Sequence, residues 1–281
     1  MKTLYIDCFS GISGDMFIGA LLDAGADPAI LVEEFKKLHF EDEYQLTWKK
    51  ILKNGITSTK FNVVLTQPDH DHEHHHHEHD HHHEHHHEHK HDHDHVHHHH
   101  EHDHHHEHDH HHHHRSYNDI VKMIESSDLA TEVKETSLKI FRKIGEAEGH
   151  IHGLPLEKVH FHEVGAVDSI IDIVGAAILI HQLGIKIIKS SPVPVGAGKI
   201  HIDHGIYPVP APATLEVLKG VPIEQSNVRF ELTTPTGAAI AAVLAEEYCP
   251  IPSMKVESIG YGAGTKTFKD HPNVLRVIIG E

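Results

Sequence analysis

Thirty-one histidines fall within the 45 residues 70–114, interleaved with 12 Asp or Glu and interrupted only by Lys90 and Val96. Neutral imidazole ligates nickel, zinc and copper, and the intervening carboxylates add oxygen donors while offsetting the incoming positive charge. The implied chemistry is binding of several divalent cations. The candidate ligands stand in the densest runs: His74, His75, His76, His77, His81, His82, His83, His97, His98, His99, His100, His111, His112, His113 and His114. An expression tag would sit at a terminus, as pure histidine, and be far shorter. A pH-sensing or solubilising tract stays open as a second reading, because polar tracts are often solvated spacers. Composition does not choose the metal, since affinity rank favours copper and availability favours zinc.

A second concentration of chemistry lies at residues 160–172, His-Phe-His-Glu-Val-Gly-Ala-Val-Asp-Ser-Ile-Ile-Asp. On a strand, His160 and His162 project to one face. Asp168 and Asp172 lie one turn apart on the helix expected to follow, with Glu163 at the join. Those five residues are the candidate catalytic set, able to form a single metal centre. The competing reading makes the histidines surface residues, Asp168 a helix N-cap and Asp172 a solvated side chain.

Residues 7–16, Asp-Cys-Phe-Ser-Gly-Ile-Ser-Gly-Asp-Met, read as a glycine turn between a strand and a helix. Backbone N–H groups at such a helix start bind anions, which makes Ser10, Gly11, Ser13 and Gly14 candidate phosphate contacts. No lysine stands at P-loop spacing, so this is not a Walker A site. Asp7 and Asp15 can instead hold a cation. Cys8 is either a soft-metal ligand or a buried small side chain. Thr234 and Thr236, in Thr-Thr-Pro-Thr-Gly at 233–237, form a second hydroxyl-rich helix start that is explained equally by N-capping. His150 and His152 read as loop histidines, and His201, Asp203 and His204 as a metal-capable cluster of low specificity.

Several elements must position these groups. Apolar spacing predicts strands at 4–7, 44–52, 59–65, 159–162, 185–188, 200–202, 254–259 and 274–279. It predicts helices from Ser13 to about Gly25, from Asp27-Pro28, from the capping box at Ser116 to Asp119, over 128–148, over 168–183, from Pro212 to Gly220, and from Thr234 to about Tyr248. Asn54-Gly55 signals a hairpin, and residues 260–264 read as a glycine loop. Helices and strands interleave without a strict repeat, so the fold class is mixed α/β (α+β). Residues 1–69 and 115–281 are expected to build one domain, with 70–114 as a disordered insertion from its surface.

The formal charge is −18. Twelve carboxylates and one lysine place −11 of it in the tract, leaving −7 elsewhere. Twenty-four Lys and Arg in all do not form a phosphate-binding surface for nucleic acid. Cations are the expected partners. Two cysteines, neither in a CxxC pair, argue for a reducing compartment. Residues 1–7 do not form a signal peptide and no apolar run has membrane-spanning length, so cytoplasmic location without membrane association is expected.

Residues 7–16, 160–172 and 233–237 together resemble the LarC family, the nickel insertion proteins of nickel-pincer cofactor synthesis, and the likeness covers nearly the whole chain. A His-rich insertion before a helix fits that family too. The resemblance implies a metal-inserting lyase, a nickel cyclometallase. It would place Ni(II) into pyridinium-3,5-bisthiocarboxylic acid mononucleotide with two Ni–S bonds and one Ni–C bond, making the cofactor of lactate racemase. The apoenzyme of lactate racemase is then a candidate partner, and a homo-oligomer is expected. Family members continue into a C-terminal domain that binds CTP with Mn(II) or Mg(II). The chain ends at Glu281 after a predicted strand, so it is expected to be the nickel-binding N-terminal part, working with a separately made C-terminal domain. The alternative is a nickel or zinc storage and delivery metallochaperone without catalysis. A weaker third reading is a small-molecule enzyme using a fixed metal at residues 160–172.

Deleting residues 70–114 should remove most bound nickel and leave the fold intact, because loop-closure entropy changes only slowly with length. Equilibrium dialysis and circular dichroism on the deletion check both halves. Unchanged nickel capacity would contradict the reservoir reading, and a lost folded spectrum would make the tract structural.

Overall fold

The structure, a computed structural model, describes residues 1–66, 115–161, 167–202 and 205–281. The elements run β1 (Thr3–Asp7), α1 (Gly14–Asp23), α2 (Pro28–Lys36), β2 (Tyr44–Lys53), β3 (Ile56–Leu65), α3 (Tyr117–Ser126), α4 (Thr131–His152) and α5 (Val167–Gln182). They continue with β4 (Ile187–Ser190), β5 (Val193–Pro194), β6 (Lys199–Ile202), β7 (Gly205–Pro208), α6 (Pro212–Val217), β8 (Ile223–Glu224), α7 (Pro235–Leu244), β9 (Glu247–Tyr248), β10 (Val256–Ala263) and β11 (Val274–Gly280). The fold is mixed α/β. The histidine tract, with His162, Glu163, Asp203 and His204, lies outside the described residues.

Seven strands form one mixed sheet in the order β2-β3-β10-β11-β1-β4-β9. At its centre β1 pairs antiparallel with β11, Thr3 opposite Gly280 and Asp7 opposite Arg276, and parallel with β4. The β2-β3 hairpin turns on Asn54 and Gly55, both at positive φ as a tight hairpin requires.

Helix α1 packs on β10 and β3. Side chains at Gly260 and Gly262 would overlap the carbonyl oxygens of Ala20 and Met16, so the helix backbone rests directly on the strand backbone. The glycines expected to form a loop at 260–264 therefore run through Ala263 as strand β10. Their spacing serves close approach of two backbones rather than a turn. Asp23, the last residue of α1, fixes the other end. Its carboxylate accepts from Tyr261 N at 2.8 Å and from Thr59 Oγ1 at 2.8 Å.

Helix α5 is apolar around most of its circumference because it packs against α1, α2, α4 and α7. Gly175 keeps it close to Ile18 and Phe35. Asp27 caps α2 with Pro28 behind it, and Ser116 with Asp119 forms the anticipated capping box on α3. Three expectations change. Of the strand expected at 159–162, the described residues 159–161 form only an isolated bridge, between Ser116 and His160. His150 and His152 occupy the last turn of α4, which ends at the left-handed Gly153. The alanine-rich helix α7 stops at Leu244, and Glu247–Tyr248 joins the sheet edge as β9.

Gly262→Ala should lower unfolding stability by about 2 kcal/mol or more, because its new methyl meets main-chain atoms that cannot rotate away. Denaturant unfolding measures the loss. An unchanged midpoint would contradict the close seating of α1 on β10.

Candidate active site

Three helix N-termini converge on one cleft. The loop before α1 lies against the segment before α7: Ile12 N donates to Leu232 O at 3.1 Å, and Thr234 N donates to Ile12 O at 3.1 Å. Gly237 has no side chain to push Ile12 away. The start of α5 meets the start of α1 at Gly14, where any added Cβ would overlap the Asp172 side chain. Ser13, Gly14, Asp15, Asp168, Ser169, Asp172, Thr234, Pro235 and Thr236 line the cleft from the helices, and Lys60, Phe61, Asn62 and Val63 line it from β3. Glu231 and Thr265 complete a space of about 430 Å³, large enough for a small organic ligand.

The hairpin holds its side of the cleft rigidly. Lys53 Nζ donates to Thr265 O at 3.2 Å, Lys266 O at 2.9 Å and Thr267 Oγ1 at 3.1 Å, tying the loop that carries Thr265 to the β2-β3 turn.

Carboxylates dominate the electrostatics. Asp15 receives hydrogen bonds from the buried Lys60 ammonium and from the Ser13 hydroxyl. Ser13 thus stands at the N-cap position of α1 while its side chain serves Asp15 instead of the helix N–H groups. Asp168 accepts from Ser169 N at 2.8 Å. Desolvation raises its pKa, and the Asp15 charge raises it further. Asp172 is pushed well above the usual carboxylate range, first by burial, then by repulsion from Asp15 and Asp168, with Lys60 opposing. Its Oδ1 is buried with no hydrogen-bond partner. An unpaired buried acceptor costs stability, and folds keep few of them.

Of the residues singled out in the sequence, the structure brings Ser13, Gly14, Asp15, Asp168, Asp172, Thr234 and Thr236 to this one cleft. Others stand elsewhere. Asp7 is paired with Arg276, whose Nε lies 2.7 Å from Oδ2. Ser10 is buried, its hydroxyl donating to Pro272 O and lying 2.9 Å from His271 Nε2. Gly11 adopts φ 89° where a side chain would overlap Leu232 O. His160 is exposed, bridged to Ser116 and close to Asp119 rather than lining the cleft. Cys8 is buried 3.7 Å from Ser190 Oγ, its thiol pushed up to about 12 by burial, which favours the small-buried-residue reading over a thiolate ligand. Thr234 does cap its helix, accepting from Gly237 N at 3.2 Å. Among the described residues no group of three or more His, Cys, Asp or Glu could hold a metal ion.

Lys60 and Glu231 were not legible as site residues. Lys60 sits in a strand without a motif, and only its inward position at the sheet reveals the role.

The sequence profile of the nickel insertion protein family matches residues 4–281, and the chain belongs to that family. The chain is 49% identical over 281 residues to the pyridinium-3,5-bisthiocarboxylic acid mononucleotide nickel insertion protein of Geobacillus kaustophilus, covering 100% of this chain and 60% of that protein. The protein of the same description from Clostridium kluyveri is 47% identical over 281 residues, covering 100% and 62%. That from Staphylococcus epidermidis is 45% identical over 277 residues, covering 99% and 59%. The chain thus spans about three-fifths of the length of these relatives. No solved structure matches it significantly. No described helix is long and apolar enough to cross a membrane.

Asp172→Asn should stabilise the protein at neutral pH. An acid whose folded pKa is raised weakens the native state above that pKa, and the penalty disappears once pH falls below the unfolded value near ~3.9. The variant's advantage in melting temperature, about 2–4 °C for each kcal/mol relieved, should therefore shrink to nothing on acidification. Thermal unfolding across the pH range measures it, and a destabilised variant at neutral pH would contradict the unpaired-carboxylate geometry.

Proposed function

We propose that this chain binds Ni(II) and inserts it into pyridinium-3,5-bisthiocarboxylic acid mononucleotide, and that the cleft at the three helix starts is where the two meet. The observation carrying this reading is the charge arrangement of the cleft in a member of the nickel insertion family. Asp15, Asp168, Asp172 and Glu231 line the cleft with one lysine, Lys60, an excess of negative charge that attracts a divalent cation without forming, among the described residues, a ligand set that would hold it by itself. The helix N-termini offer N–H groups and positive dipole ends to the phosphate of a mononucleotide. Nickel here is cargo. It is softer than magnesium or calcium and transfers readily from imidazole and carboxylate donors to the sulfurs of two thiocarboxylates.

The histidine tract serves this reading as the reservoir. A triphosphate carries more negative charge than one lysine and three helix ends offset, so the cleft does not fit CTP. We assign CTP, with Mn(II) or Mg(II), to the part of the relatives' length that lies outside the alignment. A C-terminal region like that of the relatives is then required for insertion, and lactate racemase apoenzyme is a candidate recipient of the product.

The test supplies the chain with the mononucleotide, saturating Ni(II), CTP, Mn(II) and the C-terminal region of a relative, and reads activation of lactate racemase apoenzyme. Asp168→Ala and Lys60→Met should lower the yield roughly 100-fold or more even at saturating nickel, a loss of the size expected for groups that orient or stabilise reacting charge. Deletion of 70–114 should be rescued by the same excess. Wild-type yield from both cleft variants would overturn the assignment and favour the metallochaperone reading. A collapse confined to His160→Ala would move the site to residues 160–163.

A further inference from the structure

The three helix starts of the cleft are not equivalent. At α1 the first turn carries Asp15, whose backbone N–H donates to Asp172. At α5 the first turn carries Asp168, whose carboxylate takes Ser169 N at 2.8 Å and its own N–H. Both ends have spent donors on the protein's own carboxylates and have put negative charge where a phosphate would sit. Helix α7 has done neither. Its first turn holds no acid, and Glu231, the fourth cleft carboxylate, stands ahead of the cap in a segment bridged to Gly196.

The donors at α7 are arranged for an anion. Thr234 Oγ1 accepts from Gly237 N at 3.2 Å, which leaves the hydroxyl hydrogen of Thr234 to point elsewhere. Thr236 follows Pro235 in the first turn. It is only 7% exposed, it lines the cleft, and its hydroxyl has no partner among the described residues. Unlike Ser137 Oγ and Thr214 Oγ1, the Thr236 oxygen is not sealed from solvent, so the little surface it keeps opens on the cleft. A hydroxyl so placed is unbonded until a ligand arrives to accept from it. Gly237 makes the position rigid: an added Cβ would overlap Ile12 O and come within 2.9 Å of Ser13 N, so the loop before α1 lies directly against this turn.

We propose that the start of α7 is the phosphate seat and fixes the direction in which the mononucleotide lies, a step that rests on the insertion reading above. The phosphate accepts from the hydroxyls of Thr234 and Thr236 and from the Thr236 N–H, with the positive end of α7 behind them. The pyridinium end, with its two sulfurs, then extends toward the wall formed by Asp15 and Asp168, where a cation gathers. The reverse orientation would set the phosphate against three aspartates and leave the threonine hydroxyls unbonded, so charge and hydrogen bonding both oppose it. Lys60 is not required at the phosphate, since its ammonium is held by Asp15.

Equilibrium dialysis tests the seat with two ligands. One is the dicarboxylate analogue of the mononucleotide, which has oxygen in place of each sulfur and so reads binding apart from insertion; the other is the nucleoside left when its phosphate is removed. Saturating Mg(II) screens the acidic wall without loading imidazole. Wild type should hold the mononucleotide about 10-fold more tightly than the nucleoside, or better, as expected for hydrogen bonds to a charged group. Thr236→Val should lose most of that margin with nucleoside affinity unchanged, and Thr236→Ser should restore it. Thr236→Ala supplies the same comparison if the Val variant fails to fold. A margin kept without the hydroxyl, or an equal loss for both ligands, would overturn the seat at α7, and no margin in wild type would overturn a phosphate seat anywhere in the cleft. Wild type that holds neither ligand would overturn the insertion reading, and the seat with it.

Discussion

The seating of α1 directly on β10 is the constraint from which the rest of the molecule follows. Glycines at 260 and 262 let two backbones meet where side chains would normally intervene, and Asp23 anchors the far end of the helix to β3 and β10. With both axis and end determined, the N-terminus of α1 has one place to be. Gly14 then admits Asp172 from α5, while Ile12 hydrogen-bonds to the chain entering α7. The cleft is thus a consequence of helix packing, and its polar groups are held by rigid elements rather than by a loop.

That origin explains why burdens accumulate there. Three helix starts bring three positive dipole ends together, and the fold answers with three aspartates and a buried lysine. The answer is incomplete at Asp172, whose burial and repulsive neighbours raise its affinity for protons. Groups kept at a cost in stability cluster at functional sites. A cation entering the cleft would relieve the repulsion, and a cation is what the family transfers.

Much of this was legible in the sequence because local rules were obeyed. The Asn54-Gly55 hairpin, the capping box at Ser116 and Asp119, and the apolar helix after Asp168 were each marked by residues whose conformational preferences match the fold. The failures share one cause. Glycines at 260–264 and the helix end near Leu244 were decided by tertiary contacts, which spacing does not encode. In the site, motif reading found Asp15, Asp168, Asp172 and Thr234 because they cluster at helix starts. It missed Lys60, which reaches the cleft only through the pairing of distant strands. It also joined Asp7 and Ser10 to the cleft by sequence proximity, whereas their side chains turn to Arg276 and to Pro272.

Nickel-edge anomalous diffraction from crystals containing the chain, Ni(II) and the mononucleotide tests the central claim most directly. The account predicts nickel in the cleft, at the mononucleotide sulfurs and within reach of Asp168 and Asp172, with the phosphate at the helix starts. Nickel and mononucleotide ordered together elsewhere, with the cleft unfilled, would contradict it.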